Sequence, residues 1–443
     1  MHPRRRIALV CLTPPPDGEE LQGIYLPSYG IRRIQAAVVA DPDCQNDEVQ
    51  LFDLPQADVA RCVALLLAFG PDIVGFSIYV WSTPMMVSVA REIKRRRPSC
   101  LIVFGGPSAR SAVFSLPYYQ DANTYLDAVV EGDGETIFRN IVKLPRLEAS
   151  ALEQLPGLTL PRGTSWLRTP PVGMHQQLDD VASPFQLDLM PRGAVAYLET
   201  YRGCPLSCRF CEWGVDSKAK GSFSHEYIAR ELEAFRRLEA PAVFLLDAGL
   251  NLNAKAFKAL RQAAKETGVL RDRQLWAEIY PASVRDEHLD FLQEIGPTYL
   301  GVGLQSRDPE VLRLHQRFTD SPRFEQAMAR LTEFAAVEVQ IIMGLPGDTP
   351  EGFRRTLDYA LSMRVGVRAY HCLVLPDALL TRGLPEFAMT FDPRTLAMNA
   401  CLGWPLGSIG TMRDELGRRA RSAGGSAGDY WWSFPRLEQW PPR

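Results

Sequence analysis

Cys204, Cys208 and Cys211 share one short loop, Gly203-Cys204-Pro205-Leu206-Ser207-Cys208-Arg209-Phe210-Cys211. The spacing Cys-x3-Cys-x2-Cys supplies three thiolates, whereas clusters built only for electron transfer normally take four. Three thiolates can hold three irons of a 4Fe–4S cluster and leave the remaining iron open to bind and reduce a small molecule. Pro205 and Ser207 suit a tight loop. The bland alternatives are chance spacing and a structural zinc site. Zinc would take a fourth Cys or His at matching spacing, and His225 is the nearest candidate.

The elements that must carry this loop are legible from apolar runs and turn residues. Residues 7–11, 49–52, 73–77, 101–104 and 128–130 read as strands, alternating with helices at 23–40, 57–69, 83–97 and after Glu135. Ser82 or Thr83 caps the helix at 83–97. Strand–helix alternation predicts a doubly wound parallel sheet, Rossmann-like, over residues 1–143. Ligands of such sheets sit outside the carboxyl ends of the strands. Prolines at 145, 156, 161, 170, 171, 184 and 191 interrupt every period in 144–193. That segment reads as a linker wrapping between domains, with Phe185 packed near its end. From 194 the alternation resumes, with strands at 194–198, 243–246, 275–278, 299–302, 337–342 and 369–374. Helices separate them, the first capped by Ser224. Six β/α repeats over 194–379 predict a partial barrel of the TIM type, whose sites gather at the carboxyl ends of its strands. The extension 380–443 is expected to be helical at 394–404 and mobile at 420–428. Its aromatic end, Tyr430, Trp431, Trp432, Phe434 and Trp440, either docks on the barrel or forms a lid.

The chain has 443 residues, with 46% hydrophobic and 23% charged side chains, enough for well-buried cores. A net charge of −3 gives no electrostatic case for nucleic acid. No apolar stretch approaches the ~20 residues of a membrane span. The apolar run after Arg6 is too short for a secretory signal. Outside the trio the cysteines are scattered, which fits a reducing compartment rather than a disulfide framework. A cytoplasmic location is expected.

The cysteine segment and the strand ends downstream resemble the radical S-adenosylmethionine (SAM) enzymes over roughly 194–376. In that family the open iron chelates the amino and carboxylate groups of SAM, and an electron from the cluster cleaves the sulfonium to give a 5′-deoxyadenosyl radical. The resemblance places Cys204, Cys208 and Cys211 on the cluster and Phe210 near adenine. Asp247 stands where the family usually has a Gly-Gly-Glu-like turn for the methionyl amine; capping the next helix is its alternative task. Glu278 and Gln305, at strand ends, are assigned to SAM, with solvent-facing strand ends the alternative. Met343-Gly344-Leu345-Pro346-Gly347 looks like the family's motif beside adenine, with Leu375 as an apolar wall. Tyr280, Arg307, Tyr370 and His371 are guessed to reach substrate because they lie at strand ends.

The first domain resembles the cobalamin-binding domain fused to many radical SAM enzymes. The resemblance rests on Pro71–Ser77, on Val103-Phe104-Gly105-Gly106-Pro107 and on Val130-Glu131-Gly132-Asp133-Gly134-Glu135. It places cobalamin against Ser77, Gly105, Gly106, Pro107, Glu131, Gly132 and Gly134, with Gly23, Ile24 and Tyr25 beside the same edge. The Asp-x-His-x-x-Gly motif of mutase-type domains is missing; Asp286-Glu287-His288 begins like it but runs on to Phe291. The lower cobalt face is therefore expected to meet Tyr79, Val80 or Trp81.

These likenesses imply a cobalamin-dependent radical SAM methyltransferase. It would move a methyl group from methylcobalamin to a carbon or phosphorus centre of a small natural-product precursor or peptide, with flavodoxin or ferredoxin as external reductant. The alternative is a cyclase, ring-rearranging enzyme or anaerobic oxidoreductase that transfers no methyl. A methylthiotransferase acting on tRNA would draw on Cys11, Cys44, Cys62 and Cys100, whose contexts are mostly apolar. A cobalamin sensor would leave the trio without a task.

Overall fold

In a computed structural model, described here for residues 3–13, 25–172, 178–214, 221–318 and 320–435, two mainly parallel sheets lie in sequence. The first contains β1 (Arg6–Leu12), β2 (Glu48–Leu54), β3 (Ile73–Ser77), β4 (Leu101–Gly105), β5 (Ala128–Val130), β6 (Leu158–Arg162) and β7 (Ser165–Arg168). Their order is β2-β1-β3-β4-β5-β6-β7, and β1 to β5 are parallel. Ile7, Ala8, Leu9 and Val10 are fully buried, because helices cover both faces of a parallel sheet and a central strand must be apolar on both sides. Those helices include α1 (Tyr29–Val39), α2 (Val59–Phe69), α3 (Thr83–Arg96), α4 (Ser111–Phe114) and α5 (Gly134–Val142). The strand order reverses between β1 and β3, which opens a crevice at their carboxyl ends.

The segment predicted as a linker is partly sheet. After α6 (Ala149–Leu152), β6 and β7 form an antiparallel hairpin that extends the first sheet from β5. Its prolines do not forbid this, since Pro161 sits in the outer hairpin rather than in the parallel core. Phe185 is buried against Phe235 and Tyr29, as expected of the segment's end.

The second sheet begins with β8 (Ala196–Leu198). A two-residue pair, β9 (Tyr201–Arg202) and β10 (Gly221–Ser222), brackets the cysteine loop. Then follow α7 (His225–Arg237), β11 (Ala242–Leu245), α8 (Ala254–Thr267), β12 (Gln274–Glu278), α9 (Asp286–Glu294) and β13 (Thr298–Gln305). After α10 (Pro309–Leu314) and α11 (Ser321–Leu331) come β14 (Ala336–Met343), α12 (Pro350–Ser362) and β15 (Gly366–His371). β8, β11, β12, β13, β14 and β15 are neighbours and parallel, the six-strand partial barrel predicted. Ser224 accepts a hydrogen bond from Tyr227 N–H and so caps α7, as its position suggested.

The extension departs from expectation. Residues 394–404 are not helical: β16 (Thr390–Phe391) and β17 (Met398–Ala400) form an antiparallel pair, and the helix comes later, as α13 (Ser408–Ser422). Ile409, Met412, Leu416 and Ala420 provide its buried stripe at helical spacing. Residues 420–428 close α13 and lead into β18 (Trp431–Phe434), which adds antiparallel to β15 at the barrel's edge. The aromatic end is thus an edge strand; Trp440 lies outside the described residues.

The two sheets meet through a buried ionic cluster. Arg33 on α1 donates to Glu199 (2.8 Å) and to the Tyr227 hydroxyl (2.8 Å). Arg202 donates to Glu199 (3.1 Å) and to Glu135 at the start of α5. Burial alone would raise the Glu199 carboxyl, but Arg202 and Arg33 outweigh it and pull the pKa down to about 2.

Candidate functional site

β8 ends at Leu198 and turns through Thr200 into β9, so the chain arrives at the barrel mouth with Gly203 at φ +90°. That left-handed conformation favours glycine and swings the cysteines inward. All three cysteines are free thiols, with Cys204 and Cys208 buried and Cys211 partly exposed. They line one cavity of about 380 Å³ together with Phe210, Trp213, Asp247, Glu278, Tyr280, Gln305, Arg317 and Gln340. Burial pushes the Cys204 thiol up and the Cys211 thiol to about 11, so metal binding must release their protons.

This arrangement fits a 4Fe–4S cluster better than zinc. Among the described residues no group of three His, Cys, Asp or Glu gathers as the ligands of a single ion would. Thiolates bound to three different irons need not converge on a point. His225 begins α7 and faces Glu226 (3.2 Å), and it does not line the cavity.

The residues assigned to SAM separate into two groups. Phe210, Asp247, Glu278 and Gln305 come together in the cavity. Glu278 is held by the Gln340 amide (2.9 Å) on β14, and burial raises its pKa. Gln305 sits at a bulge of β13 with φ +67°, a strained backbone for a non-glycine residue. Gly303 permits this, since a Cβ there would lie 2.3 Å from the Gln305 amide nitrogen. Asp247 does not cap α8, a task that Asn253 performs. Its oxygens accept from Thr200 N–H (2.8 Å), the Thr200 hydroxyl and Tyr201 N–H (3.4 Å), joining β11 to the approach of the cysteine loop. Burial raises its pKa to about 7 despite those donors. Met343, Gly344 and Leu375 do not line the cavity. Met343 is buried in the core, and the space beside Gly344 (φ +87°) faces Ile409 and Cys372.

Of the substrate guesses, Tyr280 lines the cavity and Tyr370 lies near Glu338, Arg368 and Glu278. The other two need correction. Strand alternation turns His371 to the side opposite Tyr370, where its ring contacts Met398 O (2.8 Å) and Arg413 (2.8 Å). Arg307 lies past the bulge of β13, its guanidinium 4.1 Å from the centre of the Tyr359 ring on α12.

Arg317 is the residue that sequence reasoning missed. It lies in the crossover between β13 and β14, donates to Gly303 O (2.8 Å), and covers the Tyr280 ring at 4.6 Å. One of its nitrogens lies 4.0 Å from Cys208 Sγ. No motif or period marks an arginine at such a place.

In the first domain the predicted cobalamin contacts fall along one edge. Ser77 ends β3 and Gly105 ends β4. Gly106, Pro107, Gly132 and Trp81 are exposed there, with Val80 partly so. Gly106 has φ +103°, and a Cβ on it would meet Ile78 O at 2.8 Å. The Tyr79 and Trp81 rings stack at 4.6 Å. Glu131 is occupied locally, accepting from Ser111 N–H (2.7 Å), and Gly134 opens α5. Tyr25 is exposed and donates to Asp53 (3.3 Å). Gly23 and Ile24 lie outside the described residues. This edge faces the barrel's first strand: Tyr29 lies 5.6 Å from the Tyr197 ring, and Tyr79, Tyr25 and Asp53 add to the burial that raises the Tyr197 pKa.

Comparison with known proteins gives the same two-part division. Residues 198–360 match the Radical SAM superfamily, and residues 26–142 match the B12 binding domain. The chain is 27% identical over 367 residues to the cobalamin-dependent radical SAM methyltransferase TokK of Streptomyces tokunonensis, covering 78% of this chain and 52% of that protein. It is 27% identical over 374 residues to the 2-(S-pantetheinyl)-carbapenam-3-carboxylate methyltransferase of Streptantibioticus cattleyicolor, with 78% and 52% covered. The chain thus spans about half the length of these curated relatives. Among solved structures, the radical S-adenosylmethionine methyltransferase TsrM of Kitasatospora setae superposes with a TM-score of 0.66 at 19% identity, covering 87% of this chain and 76% of that one.

Proposed function

Since this chain belongs to the cobalamin-dependent radical SAM enzymes, we propose that it is a methyltransferase acting on a carbon or phosphorus centre of a small-molecule or peptide natural-product precursor. The single observation that carries the reading is one cavity at the barrel mouth, lined by the cysteine trio, with the first domain's strand-end edge turned toward the same barrel. The methyltransferase names of the half-covered relatives support the reaction class.

When bound, a 4Fe–4S cluster with SAM supplies one-electron cleavage of a sulfonium, and cobalamin supplies a transferable methyl group. Cys204, Cys208 and Cys211 would hold the cluster. Arg317 offers a guanidinium to a carboxylate, aimed by Gly303 O and Tyr280. Glu278, held by Gln340, keeps an oxygen for an ammonium or a ribose diol. Phe210 supplies an apolar face at the cavity wall. Asp247 secures the approach to the cysteine loop while also lining the cavity. In the first domain Gly106 lets the turn after β4 pack against the Ile78 backbone, while Tyr79 and Trp81 present stacked rings. An external one-electron reductant completes the reading.

The test is anaerobic reconstitution with iron, sulfide and hydroxocobalamin, followed by SAM carrying a labelled methyl, a reductant and candidate precursors. Label in the product, with 5′-deoxyadenosine and S-adenosylhomocysteine formed together, is the expected result. Product formed without label would favour the cyclase or oxidoreductase alternative.

A further inference from the structure

The turn after β15 grips the cysteine loop from outside the cavity. Arg382 donates through Nε to Asp377 O (2.8 Å) within its own turn. Its two terminal nitrogens donate to Ser207 O (3.3 Å), Cys208 O (3.0 Å) and Cys211 O. The grip is reciprocal, because Arg209 in the cysteine loop donates to Arg382 O (3.1 Å) and to Leu314 O (3.2 Å). One guanidinium therefore binds carbonyls belonging to two of the three cysteines and to the residue between Leu206 and Cys208. The turn is itself anchored to the first domain: Arg110, beyond β4, pairs with Asp377 and also donates to Gly106 O (3.1 Å). Arg382 does not line the cavity and touches none of the candidate SAM residues except through the cysteine loop.

We propose that Arg382 is a positioning residue for the iron–sulfur centre, whose fixed positive charge and carbonyl contacts raise the reduction potential of a cluster held by Cys204, Cys208 and Cys211. Reduction adds one electron to the cluster and hence one negative charge. A cation held beside two ligand residues stabilises that reduced state more than the oxidised one. The three carbonyl dipoles, negative end toward the guanidinium, are neutralised by it rather than left facing the loop. A lysine in this place keeps the charge but not the planar fork that spans several carbonyls.

The experiment uses the full chain, reconstituted with iron and sulfide, as wild type, Arg382→Gln and Arg382→Lys. Iron content, thermal melting of the apo-protein and the midpoint potential of the reduced cluster's paramagnetic signal are measured under anaerobic redox titration. The expected result is full iron loading in all three, a more negative midpoint for Arg382→Gln, and a midpoint for Arg382→Lys close to wild type. A fully loaded Arg382→Gln with an unchanged midpoint overturns the proposal. If Arg382→Gln folds but takes up no iron, Arg382→Lys decides: loading at the wild-type midpoint supports a requirement for the charge. Loss of loading in both variants overturns it, leaving Arg382 a mechanical strut. None of these readings depends on methyl transfer.

Discussion

The barrel mouth and the carboxyl edge of the first sheet are both strand-end sites, yet they are built from different parts of the chain. The mouth presents functional side chains: three thiols, Glu278, Gln305 and Arg317 around one cavity. The first sheet's edge presents mostly backbone, with Gly106 close to Ile78 O and the Tyr79–Trp81 pair as its main rings. A site of side chains depends on a few groups, each irreplaceable. A site of backbone spreads its contacts and depends on the absence of Cβ atoms.

The largest expected effect tests the first half of that contrast. Cys204→Ala should lose cluster iron and bring 5′-deoxyadenosine formation to background, as read by iron assay and product chromatography. Next comes the junction that holds the two sites face to face. Arg33→Met leaves half-buried Glu199 with Arg202 alone and strips the buried Arg33 end of the pair, and should destabilise the apo-protein by about 3 kcal/mol in denaturant titration. Arg317→Met should weaken SAM binding by roughly ten- to a hundredfold, the ~1.5–3 kcal/mol of a hydrogen bond to a charged group. Equilibrium binding to the reconstituted protein measures it.

A smaller effect is visible only against pH. The Asp247 carboxyl, raised by burial from 3.8 to about 7, is more protonated folded than unfolded. Its contribution to stability is complete below the unfolded value and is lost as pH rises through about 7. Apo-protein stability should therefore fall across that window with a slope of at most ~1.4 kcal/mol per pH unit from this group. Asp247→Asn should flatten the slope. The smallest effect tests the backbone site. Trp81 is 56% exposed, so Trp81→Ala should leave apo stability within about 0.5 kcal/mol. Cobalamin binding should weaken by only ~0.5–1.5 kcal/mol, the scale of one aromatic contact. Loss of all cobalamin binding in Trp81→Ala would break the contrast.

The same contrast explains what could be read from the sequence. Thiol spacing is a local pattern, and the cysteine loop fell where the spacing put it. The six barrel strands were legible because parallel buried strands are nearly continuous apolar runs. The hairpin β6–β7 was not, since its prolines resemble a linker until an outer, antiparallel position makes them harmless. β17 was mistaken for helix because Met398, Ala400 and their neighbours carry no clear period of two. Arg317 was invisible because its place depends on how a crossover folds back over Tyr280. His371 and Arg307 were misplaced for a simpler reason: a strand end gives a position but not a side, and one residue of parity or one bulge reverses the facing.

Gln305 and Gly303 carry a consequence for laboratory evolution. The Gln305 amide occupies the space that any larger residue at 303 would need, and Gln305 accepts an unfavourable φ of +67° in doing so. Substitutions at the two positions cannot be scored independently. A library that varies 303 alone should return other residues only where the Gln305 amide swings aside, and joint randomisation should reveal pairs that neither single scan predicts.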